Sequence, residues 1–470
     1  MLLALTATLA IVVEDRTPLR AAPAAAASEL ATLWQGDVLE VRAARAGYLR
    51  VYDYRRERGG YVKDEAAHAI GTSESDAPEL LAVLRFLRDR PGAEALGISY
   101  GAAYLRAVPA RALTAEPFDA IGVMAERLAA QASGGGQHAQ VAAHLAVVEQ
   151  FGIHMVSFER FGRMQVCYDG ELFRRVLATA GAAADARARA ALALTRPGCI
   201  DPAVGVAVRG TLDAGRRALL ESVDAAALGP LLGSRVHARR AAVWAASAWG
   251  AARRGEPADA LAQRALGELL AVHPGEMDAD GQAEYRDALL RVGAVRWAAV
   301  APGAPGAPRT AAAALHLHEA AGEPGQTCVS LTDERGTVPL VRRCTWGIVW
   351  PASAQPLAGS PALVLAVQPL ESWRELWVFH ESAVGWTVDV LSPGLAEPEE
   401  GYVDFAGFAP GTHRLLLARE VKEGGHYHRR FEEVRLEDLA LVRQASTPEL
   451  LADFGRWQDP GWRRDTLALH

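Results

Sequence analysis

"GDVLEVRAARAGYLRVYDYRRERGGYVK", residues 36–63, decides how the amino-terminal part of this chain is read. It holds three short alternating runs, Val38–Val41, Tyr48–Tyr52 and Gly60–Lys63, separated by the turn-forming stretches "ARAG" and "RRERGG". The preceding "IVVEDRTPLRAAP" adds a β run broken by polar and proline residues. Short strands with glycine turns inside ~60 residues predict a small β-barrel, over 11–70, that pairs its own sheet edges. Trp34, Tyr48, Tyr52, Tyr54 and Tyr61 form the candidate ligand-binding set, because aromatic rings offer broad contact with a polar edge. The competing expectation is that Tyr48 and Tyr52, on one strand face, fill the small core. Tyr54, beside the charged turn, is the candidate most expected to be exposed.

The order of "TPLRAAP", "WQGDVLEV", "GYLRVYD" and "GGYV" resembles the bacterial SH3-like domain family, with Tyr61 where that family commonly has tryptophan. The resemblance covers about an eighth of the chain. It implies a non-catalytic binding module for cell-wall or peptide ligands; the tyrosine at 61 leaves the ligand preference open.

After "GTSESD" the hydrophobic period changes to that of a helix. "DAPELLAVLRFLRDRPG" places Leu80, Leu81, Leu84 and Leu87 on one side, with Asp76 as cap and Pro78 in the first turn. Further helices are expected near Phe118–Gln131, Gln140–Phe151, Glu171–Thr179, Asp185–Leu194, Arg235–Arg254, Pro257–Val272 and Asp280–Val300, giving a helical domain over 75–300. One hairpin, "HMVSFERFGRMQVCYDG", interrupts them. The last three helices are similar to tetratricopeptide-type pairs, with ordinary helix hairpins as the alternative.

"APGAPGAPRTAA" reads as a linker over 301–312, followed by a β-rich domain over 313–446 and a tail over 447–470. Eight β runs occur there as two sets of four, in the same order. Val364 and Leu416 should each lie in the second strand of a set, and Trp377 and Glu432 in the third. "GFAPGTHRLLLAREV" resembles the turn and strand of TolB-type propeller blades, departing from the motif at Ala409 and Thr412. The span holds about three blades, fewer than the ~4–8 that close a propeller, so a β-sandwich is an equal reading. The whole is a multidomain α+β chain.

Composition bounds the function. The 470 residues carry a net charge of -7, which argues against broad nucleic-acid binding. Arginine almost excludes lysine, Lys63 and Lys422 being the two lysines, and with the alanine load this points to a GC-rich bacterial source. "MLLALTATLA", residues 1–10, reads as the end of a secretory signal, with a first β-strand as the alternative. No stretch is long enough to span a bilayer. Cys167, Cys199, Cys328 and Cys344 read as disulfides of an exported chain. Local order favours Cys167–Cys199 and Cys328–Cys344, the second pair bracketing the hairpin "CVSLTDERGTVPLVRRC" with its turn at Asp333–Gly336. Four reduced thiols in a cytoplasmic protein are the alternative.

Motifs of catalysis and metal binding are weak. "GISYG" matches a nucleophile elbow at Ser99 but lacks the buried strand that the elbow needs. "HLH" (His316, His318) and "HYH" (His426, His428) supply two imidazoles each, short of a metal site, and no cofactor is implied. The expected function is that of a periplasmic or secreted, non-enzymatic envelope protein binding a protein partner or a peptidoglycan-type ligand. The alternative is a cell-wall hydrolase, for which Cys167 and His154 are the nearest nucleophile and base.

Overall fold

Strand β1 (Thr8–Val12) is apolar on both sides, and that determines how the amino-terminal unit is layered. Ala10 and Val12 point into the core of a sheet, while Ile11 points the other way into a cluster of helical side chains. A computed structural model of the chain describes residues 8–134, 138–160, 162–300, 315–333, 336, 338–394 and 400–465, and divides into compact units Met1–Ala203 and Val204–His470. The boundary falls inside the span read as one helical domain. The 301–312 linker lies outside the described residues, as do residues 1–7 of the signal reading; Thr8, Leu9 and Ala10 begin β1.

In the first unit β1 is joined by β2 (Thr17–Arg20), β3 (Glu29–Leu33), β4 (Val38–Arg45), β5 (Tyr48–Asp53), β6 (Arg58–Lys63) and β7 (Ala67–Ile70). Their order is β3-β2-β6-β5-β4-β1-β7. The expected barrel does not close among the described residues, where β3 and β7 are the two ends of the strand order. The back of β1 is instead covered by α1 (Ala77–Arg88) and α2 (Glu94–Ala107), through Leu80, Leu87, Tyr100 and Tyr104. The sheet core is Leu19, Leu33, Leu39, Val51 and Val62.

Helices α3 (Glu116–Ser133), α4 (His138–Glu149), α5 (Glu171–Ala178) and α6 (Ala184–Leu194) build a second core around Met124, Leu128, Val148 and Phe173. The hairpin β8 (Met155–Arg160) and β9 (Arg163–Tyr168) is tied by Cys167–Cys199 to the turn after α6.

The second unit starts with α7 (Val206–Glu221), α8 (Pro230–Arg253), α9 (Asp259–Leu270) and α10 (Ala279–Ala294). Alanines of α8 and α9, such as Ala241, Ala245 and Ala265, are buried where these helices meet; small side chains allow the backbones to approach closely. A three-stranded sheet follows: β10 (His316–Ala321), β11 (Thr327–Thr332) and β12 (Val341–Thr345). Cys328 and Cys344 face each other across β11 and β12 and are bonded, completing the pairing expected from the sequence.

The largest sheet contains β13 (Ile348–Pro356), β14 (Ala362–Leu370), β15 (Trp373–Ser382), β16 (Gly385–Leu391), β17 (Glu400–Ala409), β18 (Arg414–Glu423), β19 (His426–Arg435) and β20 (Leu441–Ala445). β13–β16 and β17–β20 are each antiparallel meanders, with Val364 and Leu416 in the second strands and Trp377 and Glu432 in the third, as the two-set reading requires. Parallel pairing of Trp373 with Gly401 and Arg374 with Tyr402 joins them into one mixed sheet. The tail folds back as α11 (Ala452–Trp457) and α12 (Pro460–Asp465), whose Phe454 and Trp462 stack edge-on against Phe431.

Candidate functional site

Side-chain alternation along β5 and β6 separates two faces. Leu49, Val51 and Val62 turn into the core; Tyr48, Arg50, Tyr52, Tyr61 and Lys63 turn to solvent. Register fixes their neighbours: Tyr48 opposes Lys63, Arg50 opposes Tyr61, and Tyr52 opposes Gly59. On the other side Arg45 opposes Tyr48 and Glu40 opposes Tyr52. Tyr48 and Tyr52 do share one face, but it is the outer one, because branched residues already fill the core. Gly60 permits this close assembly: a Cβ there would stand 2.7 Å from Leu19 Cγ and 2.9 Å from the Arg20 carbonyl oxygen.

A β-bulge between Val41 and Ala43 inserts Arg42 as the extra residue, and bulges of this kind re-aim a side chain. The Arg42 guanidinium lies 4.3 Å from the centre of the Tyr52 ring. Tyr54 meets Tyr52 edge-on at 5.0 Å and donates its hydroxyl to Glu40 at 2.9 Å. Those contacts, Tyr54 first and then Arg42, hold the Glu40 carboxyl below its usual range. Tyr54 itself is 66% exposed. Glu40 is therefore occupied, and Lys63 pairs with Glu65 at 2.8 Å. Arg45 and Arg50 are exposed and have no ion-pair partner among the described residues. The face thus presents tyrosine rings around two uncommitted guanidiniums.

Trp34 is not part of it. Its half-buried ring packs on the core of α3 and α4, edge-on to His144 at 6.3 Å. Of the five aromatic candidates the fold gathers four. The sequence reading missed Arg42, Arg45 and Arg50, although Arg50 sits between Tyr48 and Tyr52 at the same alternating spacing.

The other motifs resolve into structure. "GISYG" is inside α2: a Cβ on Gly97 or Gly101 would collide with Met124 or Ile121, and Ser99 donates its hydroxyl to the carbonyls of Gly36 and Ala95 at 2.7 and 2.9 Å. The serine is a buried bracket between helix and loop. His318 bonds Thr332 at 3.0 Å, and His426 and His428 lie along β19. No group of three or more His, Cys, Asp or Glu among the described residues is placed to hold a metal ion. Cys167 is disulfide-bonded, so it carries no thiolate for attack and cannot pair with His154 as a nucleophile. A cleft of about 540 Å³ beside Arg414 and Arg435 has its cations committed to Glu433 and Asp438.

The two disulfides, with no free cysteine, suggest folding in an oxidising, extracellular-type environment. No helix among the described residues is long and apolar enough to cross a membrane. Compared with known proteins, the chain matches no family model and no curated sequence.

Proposed function

We propose that this chain is an exported, non-enzymatic bacterial protein, periplasmic or secreted, that binds a peptidoglycan-type ligand on the outer face of its amino-terminal sheet. The observation that carries the reading is the row Tyr48–Arg50–Tyr52 facing Tyr61, with Arg45 at its edge. Tyrosine rings contact the apolar faces of sugars, and a free guanidinium takes a carboxylate through two parallel hydrogen bonds. Glycan strands with carboxylate-bearing peptides offer both. The resemblance of the ordered segments "TPLRAAP", "WQGDVLEV", "GYLRVYD" and "GGYV" to the SH3-like family and the two disulfides support the same reading, and the paired carboxyl-terminal meanders are read as a repeat module of blade type.

Co-sedimentation of the intact chain with purified bacterial sacculi tests this reading. Wild-type protein should pellet with sacculi, and Arg50→Glu and Tyr52→Ala should remain in the supernatant. Equal pelleting of wild type and both variants would remove this face from the account.

A further inference from the structure

Helix α7 is inside out. It buries Asp213, Arg216 and Leu220, and half-buries Arg209, on the side that meets α8. Arg216 pairs with Asp213 at 3.0 Å, and Arg209 reaches Asp213 and Glu371, so the charged stripe of an amphipathic helix is consumed internally. The outward side is apolar: among the exposed positions from Val206 to Glu221, Thr211 and Glu221 alone are polar. Val208 is 55% and Leu212 42% exposed, and Gly215 and Leu219 continue their stripe at helical spacing. A helix that spends its ionic groups inward and turns valine and leucine outward needs cover for that face.

We propose that the cover is a second copy of this chain, with α7 packed antiparallel against α7 of its partner about a two-fold axis. The stripe is self-complementary in that arrangement. With the axis midway between Asp213 and Ala214, Val208 opposes Leu219 of the partner subunit, and Leu212 opposes Gly215 of the partner subunit. Nothing lies within 4 Å of the place where a Gly215 Cβ would stand, so an open socket awaits a leucine side chain. Charge agrees with shape. Glu221, exposed and without an ion pair among the described residues, is carried to the amino-terminal end of the partner's helix, where a negative charge is favoured. The facing stripe itself carries no charge to repel its copy, and a two-fold pairing uses the same patch on both subunits. One helix pair makes a small interface, so the dimer is weak and concentration-dependent.

Sedimentation velocity of the full chain, disulfides intact, over a range of concentrations tests this. A monomer–dimer equilibrium is expected. Leu212→Glu should weaken it by about 10-fold or more, the loss for one buried leucine contact replaced by a charge. Gly215→Leu should also abolish it, and because the site is open in the single chain this variant keeps its fold, read by circular dichroism and melting temperature. Val384→Glu, at an exposed turn elsewhere, should change nothing. A chain monomeric up to about 1 mM, or a dimer indifferent to Leu212→Glu and Gly215→Leu, would overturn the proposal.

Discussion

Arg50 and Tyr61 oppose each other directly across β5 and β6, on the solvent side of a sheet whose other side is packed with Leu39, Val51 and Val62. In the proposed function this exposed cation beside a tyrosine ring is the contact for the ligand's carboxylate.

That pairing depends on Gly60. Gly60→Ala would press a methyl group onto Leu19 and the Arg20 carbonyl, and overpacking of this kind costs roughly 1–3 kcal/mol. Thermal melting should fall for Gly60→Ala and stay near wild type for Gly59→Ala, where a Cβ makes ordinary contacts at 3.5 and 3.6 Å. Equal melting of the two variants would contradict the close approach at Gly60.

Each disulfide should stabilise by ~2–4 kcal/mol. The Cys167–Cys199 loop spans 32 residues and the Cys328–Cys344 loop 16. Doubling loop length adds only about 0.6 kcal/mol, so paired Cys→Ser replacement should cost slightly more at the first site. Mass spectrometry of the native protein should find no alkylatable thiol; four would reject both bridges.

In the carboxyl-terminal unit Arg374 is fully buried, and its Nη2 lies 2.6 Å from Asp404 Oδ1. Asp404 is shared with Arg296 at 3.3 Å, so Asp404→Ala leaves two cations uncompensated and should cost ~3–5 kcal/mol. Arg374→Met with Asp404→Leu should recover part of that loss in denaturant unfolding, the half-buried Arg296 still lacking its partner. A double variant no better than Asp404→Ala would contradict the assignment.

Much of this was legible in the sequence because period-two and helical patterns follow directly from which side of an element meets the core. The strands around Tyr48 and the two meanders came from that logic, while both disulfide pairings came from the even cysteine count and local order. Barrel closure was not legible, since it turns on whether β3 finds β7, and α1 and α2 instead occupy the back of β1. Helix α7 was missed because its charges face inward and Gly210 and Gly215 weaken its pattern. Alternation put Tyr48 and Tyr52 on one face, but the neighbouring strands decided which way that face points.

The acid response of the helical layer follows from Glu268. Burial alone would raise its pKa; the hydrogen bond from His237 at 2.7 Å and the nearby Arg240 and Arg264 outweigh that and hold it below the usual range. A carboxyl with a depressed folded pKa stabilises above its ordinary value, near ~4.3, and that contribution disappears as pH falls through the lower folded value. The melting-temperature gap between wild type and Glu268→Gln should therefore be constant near neutral pH and shrink on acidification below the usual carboxylate range. A gap that widens with acid would contradict the sign.

The most direct measurement is a titration of the intact protein with soluble muropeptides that carry free carboxylates, alongside the same fragments with those carboxylates amidated. Arg50→Glu should weaken binding of the carboxylate form by at least ~10-fold, the equivalent of about 1.4 kcal/mol, and amidation should weaken wild-type binding similarly. Binding unchanged by both Arg50→Glu and amidation, or no binding by the wild type, would contradict the assignment of this face.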